Sequence, residues 1–88
     1  MPEISRFRGI VVRMYVEVGQ RHHLAHFHAY HQGQEGIYSI APVARIAGSL
    51  PRREERLVID WAAHHQAELQ SNWDRLQLGR APAKIAPP

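Results

Sequence analysis

The chain contains no cysteine in its 88 residues, which excludes a disulfide framework and every thiolate metal site. A domain this small must then be held by its own core or by a partner, and the reducing cytoplasm is its expected compartment. No apolar run approaches the roughly 20 residues that span a bilayer. The opening MPEISRFRG lacks the apolar segment of a signal peptide, so neither export nor membrane insertion is expected. A P-loop, an HExxH helix, a nucleophile elbow and zinc-finger spacing are all missing, and several large enzyme classes lose their support with them.

Charge is modest, with 11 Lys and Arg against 8 Asp and Glu and a formal net charge of +3. Its placement says more than its size. In the first quarter of the chain Arg6, Arg8, Arg13 and Arg21 meet only Glu3 and Glu17, so that part is expected to face an anion such as RNA or an acidic protein. The later arginines are interleaved with acids. Hydrophobic residues make up 44%, an ordinary globular share, and the length leaves room for one domain over 1–88.

Ile10 to Val18 (IVVRMYVEV) is β-branched, aromatic and nearly alternating. It predicts a strand with Val12, Met14, Val16 and Val18 on one face and Val11, Arg13, Tyr15 and Glu17 on the other. His26 to Tyr30 predicts a second strand, with Phe27 and Ala29 opposite His26, His28 and Tyr30. His31 to Gly36 reads as a glycine-bearing hairpin connection, Ile37 to Ile40 as a third strand, and Val43 to Gly48, after Pro42, as a shorter fourth. Residues 1–48 are thus mainly β.

From residue 51 to about 78 the period changes. Val58, Trp61, Ala62, His65, Leu69, Trp73 and Leu76 recur every three or four positions, one apolar stripe on a long helix. Pro51 suits its start, Glu54 and Glu55 its positive end, Arg75 its negative end, and Gly79 its C′ position. Residues 80–88 hold three prolines and form an extended tail, either frayed or laid as a strap over the body. The expected fold class is α+β, a three- to four-stranded antiparallel sheet packed on one face by a long C-terminal helix. That helix must bury its stripe against Val12, Met14, Val16, Phe27 and Ala29, leaving Arg13, Tyr15, His26, His28 and Tyr30 on an uncovered face.

Five of the seven histidines, His22, His23, His26, His28 and His31, fall within ten positions. Imidazole titrates near neutrality and ligates metals, so clustering points to acid–base work or metal binding. On a strand, His26 and His28 share a face. As catalytic residues acting on RNA, one would take the proton of a ribose 2′-hydroxyl and the other protonate the leaving oxygen, with Arg13 stabilising the phosphorane and Tyr15 or Tyr30 stacking on a base. As metal ligands, His22, His26 and His28 supply three donors for a divalent ion such as zinc. The plain alternative is a solvated histidine strand with no chemistry. On the helix, Asp60, His64 and Glu68 read as a solvated polar face, His65 as a packed rim histidine, and Arg52, Arg53 and Arg56 as a basic patch blunted by Glu54 and Glu55.

PEISRF, GIVVRMY, HFHA, LPRR, LVIDWA and the late NW, in that order, resemble a small bacterial family, domain of unknown function four-one-six-zero. The resemblance covers nearly the whole chain. It implies a component of a toxin–antitoxin-like gene pair, with a protein encoded by an adjacent gene as partner; a homo-oligomer is also compatible. His22 matches the family's histidine ahead of HFH, while Leu24 and Ala25 stand where the family carries two prolines. The binding-module reading, in which the histidine face docks a protein, and the metal-regulator reading stand beside the RNA one.

Overall fold

Two-residue turns organise the sheet. Arg8 and Gly9 both have positive φ (52° and 73°), as do Gln32 and Gly33 (46° and 80°), the type I′ geometry whose twist matches that of paired strands. A computed structural model describes residues 2–16 and 24–88, with strands β1 (Glu3–Phe7), β2 (Ile10–Arg13), β3 (His26–His31), β4 (Gln34–Ile40) and β5 (Val43–Gly48), then helices α1 (Arg52–His64) and α2 (Gln66–Gln77). The strands form one antiparallel sheet in the order β1-β2-β3-β4-β5.

The fold class is therefore α+β, with three corrections to the expected elements. The sheet has five strands among the described residues, because Glu3–Phe7 pairs with β2 across the Arg8-Gly9 turn. Ile4 and Phe7, both buried, carry that strand's core contribution. The strand expected over Ile10 to Val18 ends at Arg13; Val16 is 48% exposed rather than packed under the helix, and Glu17 and Val18 lie outside the described residues.

The expected long helix is two helices, divided at His65, whose φ of −128° and ψ of 25° leave the helical region. The division has a packing reason. Trp61 of α1 lies 5.3 Å from the Phe7 ring and 6.1 Å from that of Phe27, whereas Trp73 of α2 lies 5.0 Å from the ring of His26. Leu69 and Trp73 of α2 still pack on the same core as Trp61, so both helices cover the apolar side of the sheet, and the break at His65 lets each follow it at its own angle. Ile4, Phe7, Ile10, Val12, Met14, Phe27, Tyr38 and Ile40 of the sheet, with Val58, Trp61 and Leu69 of the helices, form the core.

A buried phenol ties α1 to the sheet, and a glycine closes α2. Tyr38, fully buried, donates its hydroxyl to Glu55 at 2.9 Å, and Arg45 reaches the same oxygen at 3.4 Å. Burial, reinforced by Glu55, pushes the Tyr38 phenol well above the usual range. Gly79, at φ 75°, closes α2 as expected: the Arg80 N–H donates to the Arg75 carbonyl at 2.8 Å and the Gly79 N–H to Leu76 at 3.0 Å, the paired bonds of a Schellman motif.

Of the two fates open to the tail, the structure shows the strap. Ile85 is buried, and its N–H donates to the carbonyl of Ile4 at 2.7 Å. The buried Asn72 side chain both donates to and accepts from Ala83 at 2.8 Å, and the Trp61 indole N–H donates to Ala86 at 2.8 Å. Among the described residues no helix is long and apolar enough to cross a membrane.

Candidate functional site

Strand alternation and register assemble the site. Arg13 faces His28 across β2 and β3, while Tyr30 faces Glu35 across β3 and β4. Residues directly opposite share a face, so Arg13, His28, Tyr30 and Glu35 converge. Tyr15 stacks on His28 with ring centroids 4.6 Å apart and 22° between planes. The Arg13 guanidinium sits 5.3 Å over the Tyr30 ring.

Hydrogen bonding gives the cluster a direction. His28 Nδ1 lies 2.8 Å from Glu35 Oε2. An ionised carboxylate only accepts, so the proton is on Nδ1 and, in the neutral ring, Nε2 is the basic nitrogen. The Tyr15 hydroxyl lies 3.4 Å from both the Tyr30 hydroxyl and His28 Nδ1. Burial first, then the hydrogen bonds to Tyr15 and Glu35, hold the Tyr30 phenol far above its ordinary range, so it stays protonated at neutral pH. Arg13 Nε is buried with no acceptor among the described residues, at a desolvation cost of about 1–3 kcal/mol for such a donor.

His26 adjoins this group. Its Nδ1 donates to the Leu24 carbonyl at 2.8 Å, and its ring lies 5.5 Å from that of His28. The expectation of an uncovered face is corrected at both positions, since His26 and His28 are only 6% and 4% exposed. Tyr15 and Trp73 supply cover that no apolar periodicity announces, because one is polar-edged and the other belongs to the helix stripe. Glu35 escapes the sequence pattern for a different reason: a hairpin connection over His31 to Gly36 hides its pairing with Tyr30. A two-residue Gln32-Gly33 turn, read as such, fixes that register.

His22 lies outside the described residues. Among the described residues no three His, Cys, Asp or Glu side chains come together as a metal-binding group. His64 Nδ1 donates to the Asp60 carbonyl at 2.8 Å, and His65 Nδ1 contacts Glu68 at 2.6 Å beside Trp61, local helix contacts rather than a shared centre.

A family model described as domain of unknown function (DUF4160) matches residues 9–74, well over half of the chain. The chain belongs to this family. The DUF4160 match holds every member of the cluster, from Arg13 to Glu35, together with Trp73. β1 and the strap fall outside it, and they hold each other through Ile4 and Ile85. Comparison with curated proteins and with solved structures yields no match.

Proposed function

We propose that this DUF4160 domain is the RNA-acting component of a toxin–antitoxin-like gene pair and cleaves phosphodiester bonds at its histidine face. The observation that supports this best is the 2.8 Å contact of His28 Nδ1 with Glu35. It orients the imidazole and fixes its proton on Nδ1, leaving Nε2 as the nitrogen with the lone pair, the arrangement a general base needs. In this reading His28 removes the ribose 2′-hydroxyl proton, the 2′-oxygen attacks phosphorus, and the bond to the 5′-oxygen breaks. Protonated His26 gives its proton to the departing oxygen, leaving a 2′,3′-cyclic phosphate and a free 5′-hydroxyl. The Arg13 Nε–H, which has no acceptor among the described residues, donates to a phosphorane oxygen. Tyr15 and Tyr30 shape the site and offer their remaining ring faces to a base.

The test is incubation of the purified protein with a labelled single-stranded RNA and with its 2′-deoxy counterpart. Cleavage of the RNA alone is expected, and His28→Ala or Glu35→Gln should slow it by about 10²-fold or more, the usual contribution of a general acid or base. Intact RNA after incubation with folded wild type, or full rate in both variants, defeats this reading.

The low exposure of His26 and His28 favours a second one. There the cluster is a rigid polar core under a non-catalytic docking face for the neighbouring gene's product. Co-expression would then give a stable complex, and His28→Ala would weaken it only as far as it unfolds the domain.

A further inference from the structure

Arg52, Arg53 and Arg56 open α1 at spacings of three and four, which brings their side chains to one helix face. All three are exposed, and with Leu57 they line a cleft of about 530 Å³. The carboxylates beside them in sequence do not neutralise them. Glu55 is turned to the sheet, accepting from Tyr38 at 2.9 Å and pairing with Arg45 at 3.4 Å. Glu54 lies two residues from both Arg52 and Arg56, about 160° round the helix from each. Among the described residues, the ion pairs join Arg6 and Lys84 to Glu3, His28 to Glu35, Arg45 to Glu55 and His65 to Glu68, and none takes up these three guanidiniums.

The patch is also placed relative to the histidine face. The Ser49 N–H donates to the Glu35 carbonyl at 3.0 Å, and α1 begins three residues later, so the arginines and Glu35 sit at the same end of the sheet. The arginines lie on its helix side and the Glu35 side chain on the other, with the end of the sheet between them. We propose that Arg52, Arg53 and Arg56 bind successive backbone phosphates of an RNA single strand whose course continues to the His28–Glu35 cluster. This names the polyanionic substrate contact of the reading above and rests on it. Planar guanidiniums with several donors suit phosphate oxygens, and a run of three gives affinity without base preference.

Binding is read without chemistry by fluorescence anisotropy of a 2′-O-methyl RNA oligomer, which has no free 2′-hydroxyl to react. Wild type, Arg52→Gln/Arg53→Gln/Arg56→Gln and the matching triple Lys variant are titrated over a salt series, with circular dichroism to confirm that each is folded. Loss of three phosphate contacts should lower the slope of log affinity against log salt by about 2 and weaken binding at low salt on the order of tenfold, while the Lys variant keeps most of both. An unchanged slope in the Gln variant, or no binding by wild type, overturns the patch. Cleavage of a dinucleoside substrate, too short to reach the arginines, is measured in parallel. Its absence in wild type counts against the catalytic reading alone, because the anisotropy slopes judge the patch independently.

Discussion

Replacing Ile85 by alanine tests whether the tail belongs to the fold. Ile85 is 3% exposed and its N–H is bonded to Ile4. Truncating a buried isoleucine to alanine costs about 2–5 kcal/mol, through lost transfer free energy and the cavity left behind. A peripheral strap can relax inward, so about 2 kcal/mol is expected here, which for a domain of this size lowers Tm by about 8–16 °C. Urea unfolding of wild type and variant, followed by tryptophan fluorescence, measures it directly, since Trp61 touches both the core and the strap carbonyl of Ala86. Asn72→Ala removes the two bonds to Ala83 and loosens the same segment. The two substitutions should therefore be less than additive, with a coupling of about 0.5 kcal/mol or more. A loss under about 0.5 kcal/mol for Ile85→Ala, the range of an ordinary surface change, refutes a docked tail.

Gly48 and Gly33 make a matched pair, with φ of 61° and 80°. A Cβ on Gly48 would stand 2.2 Å from the Glu35 carbonyl oxygen, while one on Gly33 meets nothing within 4 Å. Gly33→Ala should cost only the left-handed backbone penalty of about 1–2 kcal/mol; Gly48→Ala should exceed it by a further 1–3 kcal/mol, roughly the cost of overpacking, and equal losses in chemical denaturation would contradict the close approach. Tyr38→Phe deletes the hydroxyl that holds Glu55, and because Arg45 still contacts that carboxylate a loss of about 1–2 kcal/mol is expected in the same assay. The raised Tyr30 and Tyr38 phenols favour the protonated native state, so their contribution is complete below the ordinary phenol pKa of 10.0 and disappears as pH rises through their higher native values. Ultraviolet titration should show these two ionising only as the protein unfolds in alkali, and phenolate signal for all three tyrosines near pH 10 from folded protein would contradict their burial. Glu3 has the opposite sense: Arg6 lowers its carboxyl below 4.5, so the stability it adds is present above that pH and fades as pH falls through the lower native value.

Wherever a short-range rule suffices, the amino-acid sequence alone determined the outcome. Period two placed Phe27 and Ala29 in the core and His26, His28 and Tyr30 together on the other face, because consecutive side chains on a strand must alternate. The change to a period near 3.6 located the helical region, and Gly79 ended it because only a residue at ease with positive φ closes a Schellman motif. Membership of DUF4160 was likewise legible in the sequence. What the sequence did not disclose depends on contacts distant along the chain. β1 was hidden because Ile4 and Phe7 are too few to show a period, and only pairing across Arg8-Gly9 makes them a strand. Glu35 joined the site because a tight turn set the β3–β4 register. The break at His65 carries no proline or glycine to announce it, and it shows only in the packed helices. Whether His26 and His28 were open or covered, and whether the tail was loose or bound, could be decided only once the chain had closed on itself, since burial belongs to the packed molecule and to no segment of it.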